Sequence, residues 1–112
     1  IIDLPLLPAS HDQIPGNMPF LYIKNGSSAG KKLYLSGNSA TIGRSKINSL
    51  LIKDSTISRQ HARLVQHQGQ WYIQDLQSRS GIYVNGTWTQ AQALHHCDLV
   101  RLGDIEFEFH LQ

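Results

Sequence analysis

The sequence predicts an all-β fold, either a sandwich or a barrel. Short apolar runs with period-two alternation recur along the chain, separated by turn signals rich in Gly, Asn and Ser. Nowhere do apolar residues recur at helical spacing over a helix-forming length. The length of 112 residues suits one domain with one core, and a hydrophobic share of 40% excludes compositional disorder.

The chain opens on a stretch unlike the rest. Residues 1–19 hold all four prolines, Pro5, Pro8, Pro15 and Pro19. Proline on that spacing denies both helix and sheet interior, so an extended arm or linker is predicted. Ile1, Ile2, Leu4, Leu6 and Leu7 suit packing on the chain's own domain, or docking of a partner or of a second copy. A dimer through residues 1–19 is therefore left open. The domain proper is assigned to residues 20–112.

From Phe20 the elements follow one another as strands and turns. Phe20–Ile23 reads as a first strand and Asn25–Gly30 as a turn by composition. Lys31–Leu35 is a second strand, Gly37-Asn38-Ser39 a second turn, and Ala40–Ile42 a third strand ending at Gly43. A short apolar segment, Leu50-Leu51-Ile52, is bounded by loops. His61–Gln66 and Gln70–Leu76 alternate apolar and polar residues and are joined tightly at Gln68-Gly69. Tyr83–Trp88 turns on Asn85-Gly86, a pair suited to the positive φ both central residues need. Leu99–Leu102 and Ile105–Leu111 close the chain around Gly103-Asp104. Trp71, Trp88, Phe107 and Phe109 are expected in the core or half-buried on a sheet.

Composition excludes several functions. The net charge of +2 is too small for a nucleic-acid binder, and no Lys/Arg run concentrates it. A single cysteine, Cys97, allows no internal disulfide and fits a reducing, cytoplasmic setting. No run is long enough to span a membrane and no signal peptide is visible. Because the chain does not begin with Met, it is read as a piece of a larger protein that could be membrane-attached outside this fragment. No cofactor is expected. Gly37 to Gly43 has five intervening residues where a P-loop has four, Arg44 stands where Lys is needed, and no helix follows. No metal is expected either: His95-His96-Cys97 with His110 or His67 offers ligand types, but neighbouring histidines on a strand face opposite ways. No strained nucleophile motif marks a hydrolase, so the chain is not expected to be an enzyme. Asn25-Gly26-Ser27 and Asn85-Gly86-Thr87 match glycosylation sequons but read as turns.

The most informative stretch is Ile42–Leu64, a succession of loop, strand, loop and strand. Its loops carry Arg44, Lys46, Ser55, Thr56, Ser58 and Arg59. Hydroxyls and cations gathered in loops suit the binding of an oxyanion without a metal. Three blocks stand in order: Gly43-Arg44, then Ser58-Arg59-Gln60-His61, then Asp75-Leu76-Gln77-Ser78-Arg79-Ser80-Gly81-Ile82-Tyr83-Val84-Asn85-Gly86. In identity and spacing they resemble the forkhead-associated (FHA) domain, a phosphothreonine-binding module, over about residues 20–110. Ser80 stands where that family usually has Asn, Ile82 where it has Thr, and Cys97 where it has Gly.

The resemblance implies a twisted antiparallel β-sandwich of about 10–11 short strands, with recognition loops at one end. It implies a phosphate held by Arg44 and Ser58, with Arg79 in an adjoining loop. A phosphothreonine carries about −1.5 to −2 charge at pH 7, which two guanidinium groups would roughly neutralise. Arg59 and Ser80 occupy peptide-backbone positions, and Thr56 a position that reads the third residue after the phosphothreonine. Gly43, His61, Asn85 and Gly86 are expected to support the site, with the His61 ring bracing the recognition loop. Cys97 is expected to be a buried or half-buried thiol. The implied partner is a phosphothreonine-containing protein or peptide, such as a Ser/Thr kinase or its substrate. The alternative is a scaffold of the same fold that assembles proteins without phosphate.

Overall fold

The computed structural model of the protein describes residues 18–111. Apart from Met18 and Pro19, the predicted arm and the dimer contact assigned to it lie outside the described residues. Among the described residues there are eleven strands: β1 Phe20–Ile23, β2 Lys32–Tyr34, β3 Ser39–Gly43, β4 Leu50–Leu51, β5 Ala62–His67, β6 Gln70–Asp75, β7 Ile82–Val84, β8 Thr87–Thr89, β9 Ala91–Leu94, β10 Leu99–Leu102 and β11 Ile105–His110. Among the described residues there is no helix.

The strands form two sheets, one six-stranded in the order β2-β1-β11-β10-β7-β8, the other five-stranded in the order β4-β3-β5-β6-β9. Alternation decides which side chains meet between them. In β11, Ile105, Phe107 and Phe109 are buried, while Glu106, Glu108 and His110 face the other way. β5 and β6 contribute Ala62, Leu64, Trp71 and Ile73 from the opposite sheet, and β7 and β10 add Ile82, Val84, Val100 and Leu102. Phe107 and Phe109 are fully enclosed. Truncating either to Ala would cost about 3–5 kcal/mol, the range for a large aromatic in a close-packed core.

Hairpin chemistry follows the sequence reading. Gln68 and Gly69 have φ of 52° and 80°, and Asn85 and Gly86 have 51° and 85°, so both turns have the positive φ pair that matches strand twist.

Four features depart from the expectations. β4 pairs with β3 in parallel, Ile42 opposite Leu50 and Gly43 opposite Leu51, so the second sheet is not purely antiparallel. β9 had no clear signal, because Ala91, Gln92 and Ala93 are weak strand formers; its place comes from pairing with β6. Trp88 is 54% exposed rather than buried, because on edge strand β8 it stands opposite Tyr83, on the sheet face away from buried Ile82 and Val84. Cys97 is exposed, in a turn with φ of 72°. That left-handed backbone explains why the FHA pattern usually has Gly there.

Candidate functional site

Four connections meet at one end of the sandwich: β3–β4, β4–β5, β6–β7 and the β10–β11 turn. Between them lies an open cleft of about 420 Å³. Arg44, Ile57 and Ser58 line it, with Ser55 and Thr56 from the same β4–β5 loop. Arg79 and Ser80 enter from β6–β7, and Asp104 from the last turn.

The loops are shaped mostly by backbone carbonyls held in fixed directions. The Arg44 and Ser45 N–H groups donate to the carbonyls of Ser58 (2.9 Å) and Arg59 (3.1 Å), which lays the β3–β4 loop along the β4–β5 loop. Gly43 permits this closeness: a Cβ there would stand 2.2 Å from the Arg59 carbonyl oxygen. The β4–β5 loop is anchored by Ile57, whose side chain is buried in the core.

Arg44 is exposed, yet its guanidinium is aimed. Nε donates to the Ile57 carbonyl at 2.9 Å. Arg44 lines the cleft, and its terminal nitrogens, with four N–H donors, have no hydrogen-bond partner among the described residues. Ser58 is aimed in a complementary way. Its Oγ accepts the Arg79 backbone N–H at 2.9 Å, so its own proton is available to an acceptor in the cleft.

His61 lies beneath this arrangement, with no exposed surface. Its Nδ1 accepts the Ser58 N–H at 3.1 Å, and its Nε2 donates to the Gly81 carbonyl at 2.7 Å. The pair of partners places the ring proton on Nε2. One imidazole thereby ties the β4–β5 loop to the β6–β7 loop. The latter is further fixed by Ser78, whose hydroxyl donates to Asp75 and accepts the Gly81 N–H at 2.8 Å.

The cleft brings Arg44, Thr56, Ser58, Arg79 and Ser80 together, with Gly43 and His61 behind them. Two expectations fall elsewhere. Arg59 is exposed and does not line the cleft; its contribution is its carbonyl, which accepts from Ser45 and from Asn48 Nδ2. Asn85 and Gly86 do not touch the site. Asn85 Nδ2 donates to Asp98 Oδ1 and its Oδ1 accepts the Leu99 N–H, both at 2.9 Å, which braces the β9–β10 connection. Thr56 is in the cleft wall, but its hydroxyl is committed. It donates to Asp54 Oδ1 and accepts the Asp104 N–H at 2.9 Å.

A family model, the FHA domain, matches residues 40–103. The chain belongs to the FHA family. It is 30% identical over 98 residues to the oxoglutarate dehydrogenase inhibitor of Corynebacterium efficiens, covering 88% of this chain and 69% of that protein. Among solved structures it is similar to Mycobacterium tuberculosis EmbR in complex with a low-affinity phosphopeptide. The TM-score there is 0.77 at 27% identity, over 85% of this chain and 24% of EmbR. It is equally similar to a domain solved in a study of phosphothreonine-dependent FHA domain interactions, with a TM-score of 0.78 at 27% identity, over 85% and 97% of the two chains.

Within this FHA domain, two residues that shape the cleft had no signal in the sequence. Asn48 is only 7% exposed, and its Nδ2 donates to the carbonyls of Ser45 (2.7 Å) and Arg59 (2.6 Å). It staples the Arg44 loop to the Ser58 loop, a cross-loop role that its position in an Asn-Ser turn did not disclose. Asp104 lines the same cleft as Arg44 and Arg79. In the sequence Asp104 is only turn chemistry, because nothing local tells which residue a hairpin tip will face.

Proposed function

We propose that this FHA domain is a non-catalytic reader of phosphothreonine, with the phosphate held by Arg44, Ser58 and Arg79. The observation that carries this reading is the orientation of donors. Arg44 is pinned through Nε with its fork free, and the Ser58 hydroxyl is pinned as an acceptor with its proton free, on one wall of one cleft. Donors fixed before the ligand arrives lose little freedom on binding, and guanidinium–phosphate pairs form strong bidentate hydrogen bonds. Arg79 adds a second positive charge. The peptide chain on either side of the phosphothreonine then runs past Ser80 and the wall made by Thr56.

The ligand in this reading is a phosphorylated protein, such as a Ser/Thr kinase or its substrate, and the setting is a cytoplasmic signalling or regulatory protein. The relative named as an inhibitor of oxoglutarate dehydrogenase and the phosphopeptide complex of EmbR support that class of role. Titration with a degenerate phosphothreonine peptide pool tests it, with phosphoserine and unphosphorylated pools as controls. Binding confined to phosphothreonine and weakened by salt is the expected result. Equal binding of the unphosphorylated pool would replace this reading with phosphate-independent assembly.

A further inference from the structure

We propose that the end of the sandwich opposite the cleft holds a divalent metal of the zinc class, through His96, Cys97 and His110. One ligand atom from each of the three lies within 4.8 Å of the others. The objection raised by the sequence was that adjacent residues on a strand diverge. His96 and Cys97 are not on a strand; they form the β9–β10 turn. The left-handed backbone of Cys97, with φ of 72°, lets neighbouring side chains converge. Cysteine in this conformation carries a steric penalty that Gly would avoid. The Cys97 N–H donates to the Phe109 carbonyl at 2.7 Å, which sets the turn against the end of β11, where His110 lies.

The surroundings of His110 suit a ligand. Its Nε2 donates to Glu108 Oε1 at 2.8 Å, which leaves the Nδ1 lone pair free. A carboxylate behind a histidine is the usual device for orienting it toward a metal. The ring is also stacked on Phe20, with centroids 4.7 Å apart. His96 Nδ1 accepts the Leu111 N–H at 3.1 Å, so binding through that nitrogen exchanges a contact at an exposed position for a metal bond. Asp98 is outside this cluster, its two oxygens accepting from Asn85 and from the His95 N–H.

One thiolate and two imidazoles suit zinc rather than magnesium or calcium. Zn–N of about 2.0 Å and Zn–S of about 2.3 Å require ligand atoms roughly 3.3–3.6 Å apart in a tetrahedron, so about an ångström of side-chain rotation closes the site. Water completes the fourth position on this open surface. β11 runs from the Asp104 turn to His110, and at about 3.4 Å per residue that places the metal roughly 17 Å from the cleft end of the strand. The metal therefore fastens the β9–β10 turn to β11 without touching the cleft.

The test is a cobalt(II) titration of the 112-residue chain in oxygen-free buffer, followed by displacement with zinc. One equivalent is expected to give tetrahedral d–d bands and a thiolate-to-cobalt charge-transfer band, and excess zinc to raise the thermal midpoint. Cys97→Ser is expected to abolish the charge-transfer band and to lower affinity at least tenfold. His96→Gln, at an exposed position, is expected to weaken binding similarly with the fold unchanged by circular dichroism. Absence of the charge-transfer band in the unaltered chain, or an unchanged cobalt affinity in His96→Gln, would overturn the proposal.

Discussion

Arg44 has two separable jobs, and replacing it in two ways distinguishes them. Its Nε holds the Ile57 carbonyl, and its terminal nitrogens remain as donors in the cleft lining. Arg44→Ala removes both. Loss of a charge-assisted phosphate contact, with the two donors of a fork, is expected to cost about 2–4 kcal/mol of binding, or roughly 30- to 900-fold in Kd. The fold loses only the single 2.9 Å bond to Ile57, worth about 0.5–1.5 kcal/mol at a part-buried position. Arg44→Lys keeps the charge but has neither the fork nor the Nε pin, and it must order a flexible chain on binding. An intermediate loss of about 1–2 kcal/mol is expected, since one charged contact survives while the bidentate geometry does not.

The assay is fluorescence anisotropy with a phosphothreonine peptide selected from the pool, run beside urea unfolding of each variant. The expected order of affinity is Arg, then Lys, then Ala, with both variants losing the same small amount of stability, about 0.5–1.5 kcal/mol. An Arg44→Lys domain that binds as tightly as the natural one would show that charge alone suffices, and the argument from a pinned fork would fall. An Arg44→Ala domain with unchanged affinity would remove Arg44 from the site altogether.

Three further outcomes follow from the same geometry. Asn48→Ala leaves the Ser45 and Arg59 carbonyls without their shared donor, and urea unfolding should register a loss of about 2–3 kcal/mol, with weaker peptide binding as the two loops separate. Ser80→Asn supplies a longer amide at the cleft edge, and should tighten phosphopeptide binding by up to roughly tenfold, about the worth of one hydrogen bond; anisotropy titration reads it directly. Asp104→Asn removes the one carboxylate lining the cleft, so any preference for Lys or Arg in the selected peptides should shrink by up to about fivefold, as expected for an exposed charge pair, when the peptide pool is profiled again.

Much of this was legible in the sequence for physical reasons. Period-two alternation marks β5, β6 and β11 because one face of each must enter the core. Asn85-Gly86 and Gln68-Gly69 mark hairpins because few residues tolerate positive φ. The cleft residues Arg44, Ser58 and Arg79 stood out as donors in loops beside a recognisable pattern. What stayed hidden was long-range or context-dependent. Asn48 bridges carbonyls on two loops, Ile57 plugs a loop into the core, and Ala91–Leu94 becomes a strand only because β6 offers an edge. Cys97 was expected indoors because cysteine usually is; its turn, and the left-handed backbone within it, put it outside.

Ser80 and Ile82, the two departures from the family pattern nearest the cleft, now separate in meaning. Ile82, in place of Thr, begins β7, is fully buried, and pairs with Leu102 and Thr89. A hydroxyl there would face the core, and Ile fills that space with apolar surface. The loop just before it is braced without any help from position 82, by Ser78 on the Gly81 N–H and by His61 on the Gly81 carbonyl. Ile82 is therefore a packing choice, and reversing it to Thr is expected to destabilise the fold without improving binding. Ser80 is exposed on the cleft, where side-chain reach decides whether a peptide group is bonded. A shorter side chain at that one position costs at most about one hydrogen bond, while the phosphate donors stay in place. Under the proposed phosphothreonine reading, the departures argue for a site of reduced affinity, and a Ser80→Asn domain that binds no tighter would show that the peptide backbone is held elsewhere.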